Sequence, residues 1–307
     1  VKGELKMRMR WILPVFSLVS FGGCEEWDWD HSIVPLLGRD ESSGTRTYFQ
    51  ERVMGGEAYS PRVETLPGTE QLVETVMEDQ RAIGYGGVAY LKGVRPLRVK
   101  KDDASPGVSP TPDAIASGAY PITRSLYFYT VGKPDGLARA FIGWVRGTQG
   151  QKICSEVGYV PLPEAQRTAK PAPAPAGKQG LRVKGSDTLR ILSIRWAQAY
   201  TELNPDCSIQ VIGGGSELGI AALRDGQVEI CQASRPLTPQ EKEEIKAKRG
   251  KSPEEFPVAL DGLAVFVNEQ NPLQEISFAD LRRIYTGQIS RWGDVGRPGQ
   301  ADERSAP

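Results

Sequence analysis

The chain has 307 residues and carries 38 basic against 38 acidic side chains, a formal net charge of zero. That length allows about two compact domains, and the balance excludes the broad field that draws a protein to nucleic acid or to an anionic membrane surface. Hydrophobic residues at 39% and charged residues at 25% fit a soluble globular chain, and no run after Cys24 approaches the roughly 18 apolar residues of a membrane span.

The N-terminus departs from the rest. Lys6, Arg8 and Arg10 precede the apolar stretch from Trp11 to Phe21, and Gly22, Gly23 and Cys24 follow. Basic, apolar and small residues in that order predict an export signal, too short for a stable anchor. Small residues before a cysteine also resemble a bacterial lipoprotein signal over residues 1 to 24, with Cys24 as the lipidated first mature residue. A simple cleaved signal, or a start at Met7 or Met9, is the alternative. Cys154, Cys207 and Cys231 lack metal-ligand spacing and read as core thiols, with one disulfide open to them.

After the signal, IVPLL predicts a strand, GRDESSGT a loop, and RTYFQERVMGG a short helix with Phe49 and Val53 on one face and Gly55 and Gly56 at its end. EQLVETVMEDQ follows as a longer helix, AIGYGGVAYL as a strand, and SLYFYTV between Ser125 and Val131 as an apolar strand. Residues 164 to 180, EAQRTAKPAPAPAGKQG, have no apolar periodicity and read as an extended, semi-rigid linker. Beyond it come the strand LRVKG, the turn GSDT, and a helix with Leu189, Leu192, Trp196, Tyr200 and Leu203 at helical spacing, ended by Asn204 and Pro205. The strand SIQVI, the turn GGGS, the helix ELGIAALRDG and the strand VEICQAS complete a βαβαβ order, which predicts a parallel, doubly wound sheet. Both halves of the chain are therefore α/β.

Three strand-to-helix junctions are built from Gly, Ser and Thr: Gly185 to Thr188, Gly213 to Ser216, and Ser42 to Thr45. A helix N-terminus leaves backbone N–H groups unpaired and carries partial positive charge, and small residues let an anion approach it. Hydroxyls add donors, and Arg39, four residues before Ser43, adds a planar fork suited to two oxygens of a phosphate or sulfate. Such a site needs no metal or cofactor. The turn GGGSELG also approaches a dinucleotide-binding pattern, with Arg235 placed to meet a 2′-phosphate. Hydrolase chemistry has little to draw on, because the one histidine, His31, lies in a polar stretch beside WDWD.

The motifs GRDESSGT, AIGY, ASGAYPITRSLYFY, GYVPLP, GSDT, VIGGGSELGIAALRDG, ICQASRPL, PVALDGLAVFVN and LRRIYTGQISRWGDV together resemble the PstS-like phosphate-binding proteins of bacterial phosphate ABC transporters. The likeness covers nearly everything from Ile33 to Val295. It implies a type II periplasmic-binding-protein fold, in which two α/β lobes joined by crossing strands clamp the ligand. It further implies capture of inorganic phosphate without chemistry, for delivery to permease subunits in the cytoplasmic membrane. The protein would work as a monomer in the periplasm or on the outer face of the cytoplasmic membrane, with no nucleic-acid partner. Sulfate, molybdate, a phosphorylated organic compound, a surface sensor or scaffold of the same fold, and an NADP-dependent enzyme stand as alternatives.

The order of these blocks is not the family's. In typical members the GSDT block comes first and the GYVPLP block last, so the chain resembles a circular permutant with the Pro/Ala linker joining the usual ends. The alternative is a piece of a tandem protein. The resemblance places crossings near Asp261 to Asn268 and Thr123 to Tyr129, one lobe at 31–122 plus 265–307 and the other at 125–263. It assigns the anion to Arg39, Ser43, Gly44 and Thr45 on one lobe and to Thr188, Leu189 and Ser216 on the other. Family members of the best-understood type hold the phosphate proton with an aspartate where this chain has Arg235. Asp261 is the substitute candidate and Asp187 the second, and either reads equally as a solvated or capping carboxylate.

Overall fold

The computed structural model describes residues 28–297, so the predicted export signal and Cys24 lie outside the described residues. β1 (Leu37–Arg39) is buried throughout and pairs in parallel with β2 (Glu64–Leu66), the two connected through α1 (Gly44–Arg52). α2 (Thr69–Glu78) buries Leu72, Val73 and Val76, the apolar stripe of an amphipathic helix. β3 (Ile83–Gly87) ends earlier than the sequence suggests, and a 3₁₀ turn carries Val88 to Tyr90. The Val88 N–H donates to the Asp261 carboxylate at 3.2 Å, which turns the backbone away from the ladder. Two short strands follow, β4 (Arg95–Pro96) and β5 (Arg98–Lys100), then α3 (Pro112–Ala116).

β6 (Thr123–Val131) begins the longest stretch of sheet, and α4 (Gly136–Val145) and α5 (Thr148–Val157) pack behind it. The Pro/Ala segment is tacked to the corner between those helices: the Thr168 N–H donates to the Arg146 carbonyl at 2.9 Å, and Pro171 lies against Gly143 and Gly147. Next come β7 (Gln179–Gly185), α6 (Asp187–Leu203), β8 (Cys207–Ile212), α7 (Ser216–Arg224), β9 (Ile230–Ala233) and α8 (Pro239–Arg249). β7 pairs in parallel with both β8 and β9, the arrangement that βαβαβ predicts. The sheet is nevertheless mixed, because β6 adds antiparallel to β9.

β10 (Pro253–Val267) joins the two parts of the molecule. From Pro253 to Gly262 it pairs with β6, with a bulge between Pro257 and Ala259, and from Leu263 to Val267 it pairs with β3. Pro257 has no N–H to give the ladder, which accounts for the bulge. β11 (Glu275–Ser277) pairs with β5, and α9 (Phe278–Tyr285) closes the fold.

Of the two larger cores, the one around Trp196 spans this crossing and takes in Leu72, Val73, Val76 and Phe266 from beyond it. It gathers Trp196, Phe128, Phe141 and Tyr200 between the sheet and the helices behind it. The other stacks Phe49 on Tyr85 at 4.1 Å with Tyr285 edge-on. Cys154, Cys207 and Cys231 are all buried and free, so the disulfide left open by the sequence does not form. They serve as small apolar side chains.

α7 lies so close to β7 that a Cβ on Gly219 would fall 2.6 Å from both the Gly185 Cα and the Lys184 carbonyl oxygen. Backbone cannot step aside as a side chain can, so Gly219→Ala should cost about 1 to 3 kcal/mol. Gly180→Ala, whose Cβ meets nothing within 4 Å, should leave stability nearly unchanged. Urea unfolding of the two variants measures the difference.

Candidate functional site

Three helix N-termini meet where β10 passes from β6 to β3. Ser43 caps α1 by accepting from the Arg46 N–H at 3.4 Å, which places Gly44 and Thr45 in the first turn. Thr188 and Leu189 lie in the first turn of α6, and Ser216 opens α7. Thr45 Oγ1 and Thr188 Oγ1 share a hydrogen bond of 2.9 Å, and Ser234 Oγ lies 3.5 Å from Thr45 Oγ1 and 3.3 Å from Ser216 Oγ. A Cβ on Gly44 would fall 2.4 Å from Ser216 Oγ, so only glycine lets α1 approach α7 this closely. Thr45, Thr188, Ser216 and Ser234 are all buried. Leu189 turns its side chain into the core and offers the site only its backbone N–H.

The charge at the centre of the cluster belongs to a residue that the sequence reading passed over. Arg124, on β6, donates through Nη1 to Thr45 Oγ1 at 3.1 Å and to the Ser234 carbonyl at 3.2 Å, and through Nη2 to Thr188 Oγ1 at 3.5 Å. Its Nε and Nη2 meet Asp261 Oδ2 at 2.9 and 2.8 Å. Both side chains are buried, at 1% and 0% exposure, and they occupy paired positions on β6 and β10. Burial raises the Asp261 carboxyl above the ordinary carboxylate range, and the Arg124 charge and hydrogen bond and the Val88 N–H pull it back. Arg124 also lies over the Tyr48 ring at 5.6 Å.

Arg39 is buried as well, but its fork is held by the protein. Nε donates to the Leu66 carbonyl, Nη1 to Thr69 Oγ1, and Nη2 to the Pro67 carbonyl and to Asp187 Oδ2 at 2.8 Å. The other Asp187 oxygen accepts from the Gly214 N–H at 2.8 Å. Asp187 therefore serves as the counter-charge of Arg39 and as a brace for the glycine turn. A cleft of about 230 Å³ opens beside this pair, lined by Thr69, Glu70, Tyr90, Asp187, Arg190 and Gly213 among others.

Arg235 does not face the hydroxyls. It is locked by Glu217 Oε1 at 2.5 Å and Glu241 Oε1 at 2.6 Å, and Glu241 also closes a capping box with Thr238. The GGGS turn is filled from the other side of the chain: the Glu217 N–H donates to the Ser42 carbonyl, and a Cβ on Gly215, at φ +101°, would fall 2.3 Å from that oxygen. Neither the turn nor Arg235 is free to hold a dinucleotide as the GGGSELG pattern suggests. His31 is exposed and bonded to Asp28 at 2.7 Å. Among the described residues no cluster of His, Cys, Asp and Glu is arranged to hold a metal ion.

Ser234 and Arg124 were the residues missed. Arg124 sits in an apolar strand run, where an arginine buried among Tyr, Ile and Leu is itself the signal. Ser234 directly precedes Arg235, on which sequence reasoning settled.

Two α/β parts joined by a long crossing strand, with helix N-termini gathered at the crossing, define the two-lobed α/β class of periplasmic-binding-protein folds. A family model described as a PBP superfamily domain matches residues 18–147 and 169–306, and the chain belongs to that superfamily. Phosphate-binding protein PstS 2 of Streptococcus pneumoniae is 28% identical over 271 residues, covering 85% of this chain and 87% of its own. The protein of the same name from Streptococcus agalactiae is 28% identical over 308 residues, covering 95% and 99%. The solved structure of a phosphate ABC transporter phosphate-binding protein from Streptococcus pneumoniae superposes with a TM-score of 0.64 at 25% identity, covering 86% of this chain and 100% of that one.

The Arg235 cluster carries a stability prediction. Burial alone would raise Glu241, but the hydrogen bonds from Arg235 and from the Thr238 N–H outweigh it and hold the carboxyl below its ordinary value. A depressed carboxyl stabilises the fold above its unfolded pKa of about 4.3, and that contribution fades as pH falls through the folded value. Thermal melts should therefore show wild type losing stability below about pH 4.5 more steeply than Glu241→Gln.

Proposed function

We propose that this chain is an extracytoplasmic solute-binding protein that captures inorganic phosphate and delivers it, unchanged, to an ABC permease. The observation that carries this reading is the convergence of α1, α6 and α7, N-termini first, on the buried hydroxyls of Thr45, Thr188, Ser216 and Ser234. Backbone N–H groups with partial positive charge, together with hydroxyl donors, suit a compact anion with four oxygens. The names of the streptococcal relatives support phosphate as that anion.

The ligand would lie between a lobe of residues 31–122 plus 265–307 and a lobe of residues 125–263, with β6 and β10 as the hinge. A ligand that touches both lobes favours the closed state by the difference in contacts. In the structure Thr45 and Thr188 already touch, so the anion would exchange hydroxyl-to-hydroxyl bonds for stronger bonds to a charged acceptor.

The motif order supports a circular permutation in which one chain forms one complete unit. The pairs Thr45–Thr188, Arg39–Asp187 and Arg124–Asp261 each join a residue before the Pro/Ala segment to one after it. The family model matches in two stretches, the second of which begins within that segment. The basic, apolar and small-residue N-terminus supports export, with Cys24 as the lipid attachment site.

Isothermal titration with phosphate, sulfate, molybdate and NADP tests the assignment, with phosphate expected to bind tightest at one site per monomer. Ser216→Ala should weaken phosphate by about tenfold or more, a loss of about 1.4 kcal/mol or greater. Tighter binding of sulfate or molybdate would reassign the ligand, and binding confined to dimers would remove the one-chain unit.

A further inference from the structure

We propose that Arg124 is a ligand of the bound oxyanion and that Asp261 is its positioning partner rather than an acceptor for a phosphate proton. This rests on the oxyanion reading above and extends it to a residue outside the three Gly, Ser and Thr junctions. The guanidinium of Arg124 donates to the hydroxyls of Thr45 and Thr188, the two groups through which α1 and α6 meet. Those two bonds go to neutral acceptors and are the exchangeable ones. An oxyanion reaching the hydroxyls is within one bond of the guanidinium, and a bond to a charged acceptor is about twice as strong as the neutral bond it replaces.

The other Arg124 contacts are fixed. Nε and Nη2 clasp Asp261 Oδ2, while Asp261 Oδ1 accepts from the Val88 backbone N–H. Both carboxylate oxygens are thus turned to the protein, and the carboxylate holds the fork at its angle. Because β6 and β10 pair Arg124 directly with Asp261 at the point where β10 leaves β6 for β3, the cation sits at the crossing itself. Arg39 holds its own carboxylate, Asp187, at 2.8 Å, so each arginine enters the site already neutralised. The local selectivity then depends on how much of the Arg124 charge Asp261 cancels.

Titration of the full-length chain with phosphate and with sulfate separates the possibilities. Arg124→Gln combined with Asp261→Asn removes both charges together and avoids stranding a buried one, and it should weaken phosphate by about thirtyfold or more. Asp261→Asn alone leaves the guanidinium uncompensated, so sulfate, a full dianion, should gain on phosphate by about tenfold in the affinity ratio. A purely structural carboxylate would lower both affinities together and leave the ratio unchanged, which overturns the positioning role. Phosphate binding within threefold of wild type in the double variant, while Ser216→Ala still loses it, overturns the Arg124 assignment and leaves the oxyanion site standing. If wild type takes up neither anion, the oxyanion reading itself fails, and this inference with it. Should the double variant lose its cooperative melt, Arg124→Lys serves: it keeps the charge near Asp261 but not the fork, and phosphate should fall by about tenfold.

Discussion

A charge pair buried at the crossing of two strands sets the terms for the rest of the molecule. Taking a guanidinium and a carboxylate out of water costs several kcal/mol per ion before their attraction is counted, so Arg124 and Asp261 can both be buried only with every donor and acceptor met. The structure meets them: Asp261 receives Arg124 on one oxygen and the Val88 N–H on the other, and Arg124 reaches Thr45, Thr188 and the Ser234 carbonyl. Each partner comes from a different element. Satisfying the pair therefore fixes where β3 ends, where β10 leaves β6, and how close the first turns of α1 and α6 come.

Hydroxyls are suited to that surrounding because each can donate or accept. Thr45, Thr188, Ser216 and Ser234 satisfy one another in the structure, and in the proposed site the same atoms would turn their protons to the anion. The Pro/Ala segment is indifferent to this chemistry. It is tacked along the corner of α4 and α5, and it lets the halves of the sequence supply complementary members of the Thr45–Thr188, Arg39–Asp187 and Arg124–Asp261 pairs.

Much of this was legible in the sequence because it is local. The three Gly, Ser and Thr junctions are short-range signals, and the helices begin where those signals fall. The βαβαβ order gave β9, β7 and β8 their parallel pairing. What the sequence could not show was long-range pairing: that β6 would add antiparallel to β9 and β10, and that Arg124 would face Asp261 across that ladder. Arg124 looked like one polar residue at the start of an apolar strand. Arg235 drew attention by standing where relatives of the family carry an aspartate, yet Glu217 and Glu241 take it away from the hydroxyls. The AIGYGGVAYL run read as one strand because its composition does not reveal that a carboxylate 173 positions away claims the Val88 N–H.

The balance of charge at the crossing has a consequence for how an anion is held. Arg39 is matched by Asp187 and Arg124 by Asp261, so the four formal charges sum to zero, as do those of the whole chain. What remains is the partial charge of three helix N-termini, roughly half a unit each, and these act at short range. Such a site does not pull anions from a distance, and ionic strength should matter little to it, because buried dipoles are screened far less than surface charge. In the proposed site the hold would depend on closure, since the three helix ends belong to elements on both sides of the crossing and would act together only in contact. On the proposed reading, parting the two sides would divide those donors between the lobes, and release would need no change in the protonation of any residue.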